Sequence, residues 1–171
     1  MNYGIVTKTL GKILVLEAFM MIFPTVISLM HNQHDKVAFA ITIAVTGLIG
    51  IILSRFPAKS NTIKIKEGLT IVTFAWVLAS LFGSLPFILS GSVDSFSDAL
   101  FESVSGFSTT GATVIDNVEA LPKGILFWRS FTHWVGGMGI LVLMVSILPA
   151  LGVGGFQVFK AESTGPVADK I

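Results

Sequence analysis

Hydrophobic and polar positions along this chain alternate on the scale of a membrane thickness. Residues 13–30, 37–54, 68–93 and 123–148 form four long apolar stretches, separated by a short polar turn, a basic connection and a longer acidic one. About 20 residues of helix cross the roughly 30 Å hydrocarbon layer, so each stretch predicts a transmembrane helix. The first follows Lys8 and Lys12, but it is too long for a signal peptide and lacks a small-residue cleavage pattern. Pro24 predicts a kink in it, and Glu17 places a carboxylate near its start, where hydration or pairing with a neighbouring helix is the expected, structural reading. In the second helix Ala40, Ala44, Gly47 and Gly50 offer small faces for packing, and Ala79 and Gly83 repeat that spacing in the third.

One helical signal is too short to span. Ser95 and Asp98 have capping-box spacing, and Phe96, Leu100, Val104 and Phe107 then recur at helical intervals. A helix over 95–105 is about 15 Å long, half the hydrocarbon layer. Ser105-Gly106 and Thr109-Thr110-Gly111 then disfavour its continuation. Two readings stand on this local pattern: a surface hairpin, and a segment that enters the membrane and returns to the same side. Irregular backbone at membrane depth must be buried in protein or line water. A selectivity filter meets that condition by turning backbone carbonyls toward an axis, with the helix C-terminus favouring a cation there.

Composition agrees with a membrane protein. The 171 residues are 53% hydrophobic and 12% charged, whereas a soluble domain has about 25% charged residues. The net charge of +1 says little about partners and no basic cluster points to nucleic acid, while the lack of cysteine excludes disulfides, thiolate metal sites and thiol nucleophiles. His31 and His34 lack the further ligands that a metal site needs. Arg55, Lys59, Lys64 and Lys66 put the second connection in the cytoplasm, together with Lys8, Lys12, Lys160 and Lys170. The 94–121 connection carries Asp94, Asp98, Glu102, Asp116 and Glu119 without a single Lys or Arg, which fits an external vestibule that concentrates cations. Both chain ends then lie in the cytoplasm.

In the fourth helix Arg129 and His133 share a face, and Gly136, Gly137 and Gly139 permit close approach of another backbone one turn on. A catalytic role for His133 finds no Ser, Cys or metal partner, and Glu17 is expected near the opposite membrane face, so the chain is read as not an enzyme. After Pro149, residues 152–159 suggest an interfacial elbow and 161–171 a cytoplasmic tail.

These residues also resemble a known family. The third helix with SLFGSLPF, the loop FESVSGFSTTGAT, the following FWRSFTHWVGGMGILVL and the tail GGFQVFKAESTGP are similar, in that order, to the membrane subunit of the Trk/Ktr/HKT potassium transporters. Residues 1–66 resemble the extra N-terminal helix pair of the Trk branch. The resemblance implies an all-α membrane protein of about four transmembrane helices plus one re-entrant pore helix and filter loop. It divides the chain into a helix pair at 1–66, a helix–pore-loop–helix repeat at 67–160 and a truncated tail at 161–171. It carries Thr109, Thr110, Gly111, Ala112 and Thr113 onto the filter positions, with potassium at Thr109, Thr110 and Gly111 and with Arg129 and His133 in support. Glycine at the position of Gly111 accompanies potassium permeation in the family, and serine there accompanies sodium preference in some plant members. The implied activity is potassium uptake, of the symport class, across the inner membrane, with potassium as transported ion and no covalent cofactor. Implied partners are membrane lipid, three further repeats or copies of the chain, and a cytosolic nucleotide-binding regulatory ring. Where the family has four repeats this chain has one, and its filter lacks the second glycine and the aromatic residue of tetrameric potassium channels. The rival reading is a non-conducting helical membrane scaffold or assembly subunit, whose glycine faces only pack helices.

Overall fold

A computed structural model of the chain describes residues 2–58 and 64–150, the last eight of them as helical backbone only. Lys59, Lys160, Lys170, the elbow at 152–159 and the tail at 161–171 lie outside the described residues. The described residues build seven α-helices and no strand: α1 (Tyr3–Met20), α2 (Ile22–Met30), α3 (Asp35–Ser54), α4 (Ile65–Gly83), α5 (Leu85–Leu89), α6 (Phe96–Phe107) and α7 (Lys123–Ala150), with a 3-10 turn at Val118–Ala120. Among them Tyr3–Met30, Asp35–Ser54 and Ile65–Leu89 are long and apolar enough to cross a membrane, with mean hydropathies of 2.2, 2.4 and 2.0. α7 adds a further 28-residue helix.

The first span differs from expectation in two ways. It starts about a turn from the N-terminus rather than at residue 13, because Gly4 and Gly11 bring its early turns against the far end of α3. A side chain at Gly4 would strike the Pro57 carbonyl, and one at Gly11 the backbone of Ser54 and Gly50. It is also interrupted at Met21, three residues before Pro24. The Pro24 ring lacks an N–H and crowds the preceding turn, so the helix restarts there, and Thr25 closes the gap with its hydroxyl on the Met21 carbonyl at 2.7 Å. Glu17 consequently lies deep in the span rather than near its end. It is 5% exposed, and neither carboxylate oxygen has a hydrogen-bond partner.

The third span, expected as one helix, breaks at Ser84 between α4 and α5, where Pro86 needs a first-turn position. The break frees the Gly83 carbonyl, which accepts the indole N–H of Trp128 at 2.9 Å inside the protein. Trp128, 1% exposed, anchors the main core with Met21, Phe39, Phe87, Ala99, Phe107, Leu121 and Ile125. A smaller cluster of Ile5, Val6, Leu10 and Ile71 joins α1 to α4.

The N-terminal helices also cap α7. The side-chain oxygen of Gln33 accepts the Lys123 backbone N–H at 2.6 Å. Beside it the buried Asp35 carboxylate accepts from the Ser28 hydroxyl and lies against Gly124. A carboxylate there is favoured by the partial positive charge of the helix start.

Candidate functional site

The 109–113 segment is placed by α6 and by the way α6 ends. Ser95 caps the helix, its hydroxyl accepting the Asp98 N–H at 3.1 Å; the reciprocal carboxylate bond of a capping box is not among the described contacts. α6 runs two residues past its expected end because Gly106 fits flush against Thr132 of α7. The C-terminus then closes as a Schellman motif. The Thr109 N–H bonds to the Gly106 carbonyl at 3.0 Å and the Thr110 N–H to the Ser105 carbonyl at 3.0 Å. That closure puts Thr109 at φ +58°, a position glycine usually takes and a strained one for a β-branched residue.

Gly111 follows at φ +77°. A side chain added there would meet nothing within 4 Å, so the glycine answers to the backbone conformation and not to crowding by the chain itself.

Behind the segment lies a polar stitch. The Ser105 hydroxyl donates to the Ala112 carbonyl at 2.6 Å. Glu102, 1% exposed, accepts from the Thr113 hydroxyl at 2.5 Å and from the Val114 N–H at 2.7 Å through one oxygen. Its other oxygen accepts from the Arg129 Nε at 3.1 Å. A buried carboxylate thus finds both a cation and N–H and O–H donors, the condition under which its burial is tolerated. Glu102, expected in the solvated vestibule with the other acids of the 94–121 connection, lies inside. The sequence did carry a signal: Glu102 shares a helix face with the small residues Ala99 and Gly106, while Phe101 and Val104 lie outward and exposed. The predicted apolar stripe is therefore split, with Phe107 buried and Phe96 and Val104 exposed.

Thr109, Thr110, Gly111, Ala112 and Thr113 are all exposed at the front. Among the described residues no hydrogen bond uses the carbonyls of Thr109, Thr110, Gly111 or Thr113. Four neighbouring carbonyls are thus left without donors on a segment held rigidly from behind.

Arg129 and His133 take different parts. Arg129 holds Glu102, whereas His133 bonds through Nδ1 to the Arg129 carbonyl at 2.8 Å and stands beside Gly106. A side chain at Gly136 would collide with the Phe107 carbonyl, and one at Gly139 would press on Trp76 at 3.1 Å, while Gly137 reaches only the Thr109 methyl at 3.8 Å.

Residues 32–171 match a family model described as TrkH: Cation transport protein. The chain belongs to this family. Among its relatives, the Trk system potassium uptake protein TrkH of Vibrio parahaemolyticus is 40% identical and that of Escherichia coli strain K12 is 41% identical, each over 99% of this chain and 35% of the relative. An uncharacterized cation transporter of Methanocaldococcus jannaschii is 36% identical over 90% of the chain and 32% of the relative. The crystal structure of the potassium transporter TrkH from Vibrio parahaemolyticus superposes with a TM-score of 0.83 at 39% identity, covering 91% of this chain and 34% of that one. The chain therefore spans about a third of the length of the TrkH relatives it matches. Family membership agrees with the all-helical fold and its multi-pass membrane character.

Proposed function

We propose that this chain supplies one quarter of a potassium-permeating pore, with the backbone carbonyls of Thr109, Thr110 and Gly111 replacing part of the hydration shell of the ion. The observation that carries the reading is the one-sided fixing of 109–113: the Ser105 hydroxyl as donor and the Glu102 carboxylate as acceptor hold it behind, and unused carbonyls remain in front. In a filter such carbonyls are satisfied by a cation instead of a hydrogen bond. The C-terminal end of α6 adds negative potential at the same place. Ala112 contributes mainly through its bond to Ser105, and Thr113 through its bond to Glu102. Arg129 and His133 are supports, and no bond-making chemistry is involved.

The relatives named as potassium uptake proteins support the choice of ion. In this reading residues 67–160 form the pore repeat, and 1–66 form a helix pair packed behind it. The remaining oxygens come from three further repeats or copies of the chain. The assembly sits in the inner membrane with both ends of this segment in the cytoplasm, where a nucleotide-binding ring regulates it. A single loop surrounds one side of an ion only, leaving most of its dehydration cost uncompensated.

The test is Gly111→Ser in a complete transporter carrying this segment. A serine at φ +77° is strained, so the backbone relaxes and the carbonyls move. Uptake should lose potassium over sodium discrimination at normal expression. An unchanged ratio of the two ions would overturn the assignment.

A further inference from the structure

The break at Gly83 brings together two buried polar groups that no hydrogen bond satisfies. Against the bare face of Gly83 stand the Ser103 hydroxyl of α6 and one carboxylate oxygen of Glu17 of α1, at 2.9 and 3.3 Å from where a Cβ would be. The two oxygens are therefore no further apart than those distances together. Glu17 is 5% exposed and Ser103 fully buried, and both carboxylate oxygens and the Ser103 hydroxyl lack partners.

Ser103, like Thr46, departs from the usual bond of a helical hydroxyl. Thr42 and Ser130 return their hydroxyls to the carbonyl four residues back, at 2.8 and 3.0 Å, whereas Ser103 makes no such bond. In a membrane interior, two orphaned groups on facing helices are far more stable joined than apart.

We propose that Glu17 and Ser103 are joined across Gly83, directly or through one water molecule, in a polar latch by which the N-terminal helix pair sets the position of α6. Glu17 is then a positioning residue for the filter. The path is short. Two residues beyond Ser103, Ser105 receives the Thr110 N–H on its carbonyl and gives its hydroxyl to the Ala112 carbonyl. Movement of α6 relative to α1 would thus pass directly into 109–113. As it concerns ion selectivity, this inference rests on the proposed function.

The experiment is a double-mutant cycle in a complete transporter carrying this segment, with Glu17→Leu, Ser103→Ala, the double variant, and Glu17→Gln as the conservative control. Two readouts are taken: amide hydrogen exchange in α6 and 108–114, which requires no transport, and the ratio of potassium to sodium uptake. Glu17→Leu and Ser103→Ala should each speed exchange by roughly tenfold, and the double variant should be no faster than the faster single. Glu17→Gln, still able to bond to Ser103, should stay within about twofold of the parent, and the uptake ratio should move in the same order.

Exchange in the double variant equal to the product of the singles, or Gln behaving as Leu, would overturn the latch. A parent protein that moves no potassium would instead defeat the transport reading, while the exchange cycle still decides the latch.

Discussion

Two helix pairs in this molecule depend on glycine for close approach, yet they are held in opposite ways. Between α1 and α3, Gly11 and Gly50 let two regular helices touch backbone to backbone, and a Cβ at Gly50 would stand 2.8 Å from the Val15 nitrogen and 2.9 Å from the Gly11 carbonyl. Between α6 and α7, Gly106 meets the Thr132 side chain and Gly136 the backbone of Phe107, the last residue of α6 and two before the strained Thr109. The first contact is continuous helix on both sides and meets no irregular backbone. The second holds a helix terminus in place, and it is reinforced by Glu102, which binds Thr113, Val114 and Arg129. Small residues make either interface close, but only the second converts closeness into the position of an irregular backbone.

The difference is broken most severely at Glu102. Glu102→Ala removes three accepted bonds and leaves the Arg129 guanidinium, 16% exposed, without its carboxylate. The expected loss is about 3–5 kcal/mol, read as a lowered unfolding midpoint of the complete transporter carrying the variant.

Gly136→Ala and Gly50→Ala sharpen the same comparison. Each overpacks a backbone contact and should cost about 1–3 kcal/mol. Their functional signatures should separate: Gly136→Ala displaces Phe107 and changes the potassium to sodium uptake ratio directly, whereas Gly50→Ala lowers stability and reaches the ratio only through α1 and Glu17, with a smaller change. Equal changes in that ratio would show that the α1–α3 contact also sets the filter.

The smallest effect is expected at Thr109. Thr109→Gly relieves a β-branched residue at φ +58° and should raise stability by about 1 kcal/mol, while loosening ion discrimination through a freer backbone. Thermal unfolding and the uptake ratio together check this opposition of stability and selectivity.

The membrane spans, the short α6 and the special place of Gly111 were legible in the sequence because each is a local pattern: hydropathy, cap spacing and a glycine among poor helix formers. What was not legible depends on pairing across distance. Glu102 and Arg129 are 27 residues apart, and the Gly83 carbonyl and Trp128 are 45 apart. Counting acids in the 94–121 connection treated Glu102 as one of five, since charge counting ignores which face of a short helix is inward. Glu17 was misplaced for a related reason. Hydropathy alone started the span at residue 13, missing the turns that Gly4 and Gly11 add to α1.

The cap on α7 has a consequence for how the chain is made. Gln33 is translated 90 residues before Lys123, whose N–H it accepts. At roughly 5–20 residues per second, the acceptor is ready several seconds before its donor leaves the ribosome. The N-terminal pair therefore presents a finished dock, with Asp35 beside it, before α7 exists. The last described helix is received at its first residue by the first helices made, and chain order becomes an assembly order.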